Sequence, residues 1–250
     1  MNKLTKFRDD YINNIKNIIS NRGDKTSTQQ AMSDAVGGSF DSIGYLEKKL
    51  LQQNGLQSNH FLIDVGCGSG RLLSQLTQND IDSYLGTDIS QQLLDYSNQY
   101  LHNEKWKLKI VEGCTIPSPD NTADMVCMFS VITHLMPQQS YLYFKEAART
   151  LKTGGKLVVS FLEFRHQQLW PIFEASIEVM EQEGRLDMFV DRDGLRLWGE
   201  KAGFKVLAFY DGEKAHIKID REITFDNGLQ ISDMARLGPT GQSVVVYEKV

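Results

Sequence analysis

Phe61-Leu62-Ile63-Asp64-Val65-Gly66-Cys67-Gly68-Ser69-Gly70-Arg71 decides how this chain is read. The stretch opens as a short, nearly all-apolar run, the composition of a strand buried on both faces of a parallel sheet. The glycines that follow let the backbone turn sharply and approach a ligand with no Cβ in the way. The pattern predicts a helix over Arg71 to Thr77, with its first N–H groups turned toward a negative group. The spacing is G-x-G-x-G. The third glycine of a dinucleotide fingerprint would fall at position 71, where this chain has Arg71. Asp64 stands immediately before the loop, where it would repel a pyrophosphate and attract a positively charged amino group. Asp88 ends the next apolar run, 24 residues after Asp64, and a carboxylate there can accept both hydroxyls of a ribose. That last feature indicates a nucleoside without choosing which.

Working outward, short apolar runs alternate with helical patterns. SYLGTDI, LKIV, ADMVCMFSVI and KLVVSFL read as strands; Gln91–Leu101 and Tyr141–Leu151 read as helices, the second stopped at Gly154-Gly155. This rhythm predicts an α/β, doubly wound, mostly parallel seven-stranded sheet. FKVLAFY and SVVVYEK supply the final strands, the last of them antiparallel, and HIKIDREITF between them is expected to hold a short pairing. Before His60, residues 2–20 form an amphipathic pattern through Leu4, Phe7, Tyr11, Ile15, Ile18 and Ile19. A polar loop follows over Asn21–Gln30, then a helix from about Ser39 to Gln53 that ends at Gly55. Gln167–Glu183 is a further helix, with Trp170, Phe173, Ile177 and Met180 at helical spacing, open to two readings: core packing or a lid. The expected organisation is one domain: 1–58 as a helical extension or lid, 59–163 as the core, 164–190 as a helical insert, and 191–250 as the rest of the core.

Composition bounds the partners. The chain has 250 residues, 41% hydrophobic and 24% charged, which is ordinary for a globular protein. A net charge of -5 disfavours a nucleic-acid partner. No apolar stretch reaches about 18 residues, so no membrane span is expected. The charged N-terminus lacks a signal-peptide core. Three cysteines, Cys67, Cys114 and Cys127, lie in or beside apolar runs without metal-ligand spacing. A reducing, cytoplasmic setting and no metal are the expectations.

The motifs resemble, in order, those of the class I S-adenosylmethionine (SAM)-dependent methyltransferase family, of its small-molecule type. FLIDVGCGSGR is similar to the family's first motif and YLGTDIS to the segment bearing its ribose-binding acid. IVEGCTIPSPDNTADMV, FSVITHL and AARTLKTGGKLVVSF resemble its later elements. The resemblance covers His60–Leu162 by motif and extends to Val250 by element order. It implies SAM as cofactor and S-adenosylhomocysteine as product. Gly66 and Gly68, with Cys67 between them, would line the methionine and ribose portion. Asp64 would sit near the sulfonium end, with Arg71 facing the methionine carboxylate. Asp88 would hold the ribose, and Ile89 would lie against adenine. Glu112 would contact the adenine amino group, Gly113 N–H would face the ring, and Ser130 would lie close to the methionine moiety. Two positions depart from the family's pattern: Glu112 stands where aspartate is usual, and Ala123 where an aromatic is common.

The methyl of a sulfonium is already an electrophile, so catalysis needs alignment and exclusion of water more than covalent help. A base matters only for a hydroxyl or a protonated amine. His134, just past the fourth strand, is the candidate base or substrate contact, with packing or helix capping as the other reading. Glu163 and His166, after the fifth strand, are weaker candidates. The Asp/Asn-Pro-Pro-aromatic motif of adenine or glutamine N-methylation and the Pro-Cys pair of cytosine methylation are both missing. The acidic charge, the N-terminal extension and the apolar stretch Leu169–Met180 favour a small-molecule acceptor. The alternatives are a protein or RNA acceptor, a SAM-binding partner protein without transferase activity, and an NAD dehydrogenase.

Overall fold

The computed structural model describes residues 3–21, 28–183 and 186–250. Three helices precede the sheet: α1 (Lys3–Asn21), α2 (Thr28–Asp34) and α3 (Phe40–Gln53). Strands β1 (Phe61–Val65), β2 (Ser83–Asp88), β3 (Trp106–Ile110) and β4 (Ala123–Met128) follow, with α4 (Gln91–Ser97) between β2 and β3. Then come α5 (Pro137–Thr150), β5 (Leu151–Glu163), α6 (Trp170–Glu183), β6 (Phe189–Val190), α7 (Arg192–Ala202) and β7 (Phe204–Tyr210). Four short strands, β8 (Ile217–Lys218), β9 (Ile223–Thr224), β10 (Gln230–Ile231) and β11 (Met234–Ala235), lead to β12 (Ser243–Lys249).

The main path runs β3-β2-β1-β4-β5-β12-β7. The pairs among β1 to β5 are parallel, and β12 is antiparallel to both β5 and β7. This is the expected seven-stranded, mostly parallel sheet with the last strand reversed; β6 adds a two-residue parallel pairing to the end of β5. The chain order switches direction between β1 and β4, which opens a crevice at the carboxyl ends of the strands.

Both sheet faces are buried, which is why the strands read as continuous apolar runs. Leu62, Met125, Val158 and Val246 face one core beneath α3, where Leu46 and Leu50 are fully buried. Their chain neighbours Ile63, Val126, Leu157 and Val245 face the other, beneath α5 and α7, against Phe144, Ala147 and Leu195. α3 stops at Gln53, capped by Asn54, and Gly55 follows at φ 98°.

The structure corrects several sequence expectations. Arg71–Thr77 is not an α-helix; only a 3-10 turn forms, at Leu73–Gln75. α3 packs where a longer helix would lie: a Cβ on Gly44 would stand 2.3 Å from the Arg71 carbonyl oxygen. Lys48 also ties off the turn by donating to Gln75 O at 2.9 Å. Gly154-Gly155 do not stop the preceding helix either. α5 ends at Thr150, Leu151 already pairs with Ala123, and Gly154, at φ 80°, sits beside a register shift inside the strand pair. HIKIDREITF does hold short pairings, though not with itself: β8 pairs with β11 and β9 with β10. The polar loop expected to Gln30 gives way to α2 at Thr28, and residues 22–27 lie outside the described set. In the N-terminal stripe Ile15 is buried, while Leu4 and Phe7 lie outside the described side chains. On α6, Trp170, Ile177 and Met180 are exposed, so that stripe is not core. No described helix is long and apolar enough to cross a membrane.

Candidate active site

The glycine loop is held by its neighbour strand. Gly66 and Cys67 both donate their N–H to the Thr87 carbonyl, at 2.7 and 3.0 Å. Gly66 takes φ 69°, and a Cβ there would stand 2.6 Å from Val131 Cγ2, so only glycine fits. Gly68 N–H donates to Asp88 Oδ2 at 2.9 Å, and Ser90 N–H donates to Asp88 Oδ1 at 2.8 Å. The negative group at the loop is therefore the protein's own carboxylate, and with only a 3-10 turn behind the loop a helix-terminus argument does not apply. Burial pushes the Asp88 carboxyl up, against the lowering effect of these N–H groups. A carboxylate offers about four acceptor positions, so lone pairs remain for a further donor.

Asp64 lies deeper, 3% exposed. Tyr84 Oη donates to its Oδ2 at 2.8 Å, and Cys127 Sγ approaches Oδ1 at 3.5 Å. Burial pushes this carboxyl up to about 7, and the nearby Glu47 charge adds to the rise. Arg71 lines the same cavity, with its guanidinium already engaged: Nη1 donates to Val36 O at 2.8 Å and Nη2 to Glu47 Oε1 at 2.7 Å. Glu47, on the buried face of α3, is also pushed up by burial. Two acids thus face one guanidinium, leaving one surplus negative charge when both are ionised.

Ser130 follows β4 with φ 58°, its N–H on Ser160 Oγ at 2.8 Å and its hydroxyl taking Gln242 Nε2 at 2.9 Å. His134 ends the 3-10 turn Ile132–His134. Its Nδ1 is 2.8 Å from the Leu186 carbonyl, which can only accept, so Nδ1 carries hydrogen and Nε2 holds the lone pair of the neutral ring. The Tyr11 ring from α1 packs over the imidazole, centroid to centroid 5.2 Å.

These residues meet at one cleft. A cavity of about 330 Å³ is lined by Asp88, Ile89, Glu112 and Gly113; a second, of about 320 Å³, by Asp64, Cys67, Gly68 and Arg71. The two share Tyr11, Gly66, Asp88, Ser130 and His134, so they are continuous. Every sequence candidate at the ends of β1 to β4 therefore lines this cleft. Glu163 and His166 do not. Glu163 is buried in a two-pronged pair with Arg192, at 2.7 and 2.9 Å, and accepts Ser243 Oγ at 2.7 Å. His166 Nε2 stands 3.1 Å from Glu163 and 3.2 Å from Asp211, and its Nδ1 stands 3.3 Å from Glu213. Their polar atoms serve a buried network that ties the end of β5 to α7 and β12, which corrects the catalytic expectation for both. Sequence reasoning missed Glu47, Tyr84, Tyr11 and Gln242. Glu47 carried one signal, an acid on the apolar face of an amphipathic helix.

The residues fit a SAM molecule by their chemistry. Asp88 has acceptor capacity left for hydroxyls, and the Asp64–Glu47–Arg71 group has surplus negative charge for an ammonium. Thr87 Oγ1 is buried on the first cavity's wall with no hydrogen-bond partner among the described residues.

A family model described as a methyltransferase domain matches residues 63–159. Over that stretch the chain is similar to SAM-dependent methyltransferases. Phosphoethanolamine N-methyltransferase 3 of Arabidopsis thaliana is 27% identical over 160 residues, covering 62% of this chain and 32% of that protein. The ubiquinone biosynthesis O-methyltransferase of Coxiella burnetii is 28% identical over 168 residues, covering 64% and 69%. Over the first three curated relatives the match spans only 32%, 25% and 55% of their lengths. Among solved structures, magnesium protoporphyrin IX methyltransferase from Synechocystis PCC 6803 with bound S-adenosylhomocysteine shares the fold. It aligns at TM-score 0.59 with 14% identity, covering 96% of this chain and 97% of that one. SAM is the cofactor of this methyltransferase family.

Proposed function

We propose that this methyltransferase transfers the methyl of SAM to a small-molecule acceptor by direct in-line displacement. The observation that carries the proposal is the continuous cleft at the ends of β1 to β4, over which α1 closes. Tyr11 lines both halves of the cleft and packs over His134, while Ile15 on the same helix is 2% exposed and packs with Met32, Ala35 and Leu93. A cleft partly covered by a helix suits a small acceptor; a protein or RNA chain needs an open face. When bound, SAM supplies a methyl already activated by its sulfonium.

This chain's own residues bind, orient and keep water out. Asp88 holds the ribose hydroxyls. Ile89, Glu112 and Gly113 border adenine, and Asp64, backed by Tyr84, holds the amino-acid ammonium. Arg71 is turned to Glu47, so it shapes that end rather than reaching openly for a carboxylate. α1, α2 and α6 contribute to the cover, through Tyr11, Asp34 and Ile172. His134, with Nδ1–H fixed on Leu186 O, presents Nε2 as a proton acceptor for the acceptor's nucleophile.

The test is release of S-adenosylhomocysteine from labelled SAM with a metabolite pool, run beside matched protein and RNA fractions. Label entering the metabolite pool supports the proposal; label entering only the macromolecules overturns it. His134→Ala is expected to lower turnover at least tenfold while leaving SAM affinity within about twofold. Unchanged turnover would remove His134 from the chemistry.

A further inference from the structure

Three polar side chains join neighbouring strands at the edge of the cleft. Ser130 follows β4, Ser160 lies in β5, and Gln242 immediately precedes β12. In the sheet order β4, β5 and β12 stand on the far side of β1 from β2 and β3, whose ends carry the nucleoside residues Asp88 and Glu112. Ser130 and Gln242 line the second cavity, together with Leu162 and Ile172. We infer that Gln242 is a positioning residue for the methyl acceptor. It turns the Ser130 hydroxyl into a hydrogen-bond donor on the methyl acceptor's side of the cleft, where a neutral oxygen bearing a lone pair is received. The inference deepens the small-molecule reading above and rests on it.

The direction of each hydrogen bond follows from the most buried member. Ser160 is fully buried, and its Oγ accepts the Ser130 N–H at 2.8 Å. Among the described residues its own proton has one acceptor in reach, Gln242 Oε1 at 2.7 Å. With the amide turned end for end, Nε2 would face Ser160 and that proton would be stranded in the core, so the orientation of Gln242 is fixed. Nε2 therefore lies toward Ser130 and donates to its Oγ at 2.9 Å. Accepting there, the Ser130 hydroxyl keeps its own proton to give. Gln242 Oε1, at 3.3 Å, is the longer contact and already holds the Ser160 proton, so an oxygen entering the cleft can take it. The Ser130 backbone is pinned as well. It holds φ 58°, its carbonyl takes Thr133 Oγ1 at 2.8 Å, and the next residue, Val131, lies against Gly66. The donor is thus set in register with the glycine loop.

A hydroxyl or carbonyl oxygen of the methyl acceptor completes this set. Gln242 Nε2 carries a second hydrogen, so two neutral donors stand side by side. A hydrocarbon in the same place would leave the Ser130 proton without a partner in the cleft. Leu162 and Ile172 give the body of the molecule somewhere to pack. No bond is made or broken in this contact. It orients the methyl acceptor beside His134, which lines the same cavity.

The test uses the full chain saturated with S-adenosylhomocysteine, and binding by three matched probes. They share one phenylalkyl body, carried as an alcohol, a ketone or the plain hydrocarbon. The two oxygen probes are expected to bind at least fivefold tighter than the hydrocarbon. Gln242→Glu keeps an acceptor for Ser160 but puts a second acceptor where Ser130 had a donor, so it turns the Ser130 hydroxyl inward. That variant should erase the margin and leave S-adenosylhomocysteine affinity within about twofold. Ser130→Gly, which suits φ 58°, should lose the same margin, and adding Gln242→Glu to it should cost nothing further. Should Gln242→Glu fail to fold, the parent's ranking and Ser130→Gly still decide. Oxygen probes that bind no tighter than the hydrocarbon, or a margin that survives either variant, would overturn the inference alone. Losses that add in the double variant would overturn the positioning role, since Gln242 would then act apart from Ser130. Methyl transfer confined to protein or RNA would overturn the small-molecule reading together with it.

Discussion

Arg71 Nη2 donates to Glu47 Oε1 at 2.7 Å, with both side chains almost wholly out of solvent. The pair joins the glycine loop to α3, so a helix outside the sequence-motif core sets the charge at the deep end of the cleft. A buried pair of this kind contributes little net stability while intact but costs heavily when one partner is removed. Glu47→Gln is therefore expected to destabilise the fold by about 3–5 kcal/mol, measured by the denaturant midpoint. A Glu47→Gln/Arg71→Met double variant should recover much of the loss, since no uncompensated charge stays buried. A single variant as stable as the parent would show that water reaches the pair in solution.

Asp64 gives the cofactor-free protein a pH-dependent stability of unusual sign. Its carboxyl is raised from an ordinary 3.8 to about 7, so the folded state holds the proton more tightly than the unfolded chain does. The stabilisation is full below about pH 4 and is lost as pH rises through about 7. For this group alone the change is on the order of 4 kcal/mol, and Glu47, raised by the same burial, acts in the same direction. Asp64→Asn keeps an acceptor for Tyr84 and cannot ionise. It should raise the melting temperature at pH 8 and leave it nearly unchanged at pH 5. A variant that melts earlier than the parent at pH 8 would mean that the carboxylate is well paired there.

The same carboxyl should register cofactor binding as a proton event. An ammonium placed beside Asp64 favours its ionised form, so binding at about pH 6.5 expels a proton that the free protein held. Calorimetric heats of SAM binding should then vary with the ionisation enthalpy of the buffer, and affinity should fall as pH drops below about 7. Heats identical in all buffers would place the ammonium elsewhere.

Asp88 accepts N–H groups from Gly68 and Ser90 while facing the nucleoside half of the cleft. Asp88→Ala removes an acceptor for ribose and leaves the Gly68 N–H without its partner. Affinity for S-adenosylhomocysteine should weaken by about 1–3 kcal/mol, roughly 5- to 150-fold, read by titration calorimetry. An unchanged dissociation constant would take Asp88 out of the site.

What the sequence made legible follows physical range. The sheet could be read because strands buried on both faces leave continuous apolar runs. The cleft residues could be read because glycine and aspartate at strand ends act within a few residues of each other. Leu73–Gln75 was misread as a longer helix because Gly44, 29 residues earlier in the chain, brings α3 against the Arg71 carbonyl. The engagement of Arg71 by Glu47 and the Tyr84 bond to Asp64 are tertiary contacts with no local pattern. Glu163 and His166 sat at the correct sheet edge, but nothing near them in sequence revealed that Arg192 and Ser243 would claim their polar atoms.

That claim can be separated from catalysis. Glu163 Oε1 takes Arg192 Nε, and Oε2 takes Arg192 Nη2 together with Ser243 Oγ, with Glu163 itself 2% exposed. Glu163→Gln would leave Arg192 facing a neutral amide whose NH₂ group cannot accept from it. The expected cost is about 3–5 kcal/mol of stability, seen as a lowered denaturant midpoint. Because neither Glu163 nor His166 lines the cleft, S-adenosylhomocysteine affinity and the pH profile of turnover should match the parent under conditions where the variant remains folded. A folded Glu163→Gln protein with parent-like stability and turnover reduced a hundredfold would reverse the assignment, returning this carboxylate from the scaffold to the chemistry.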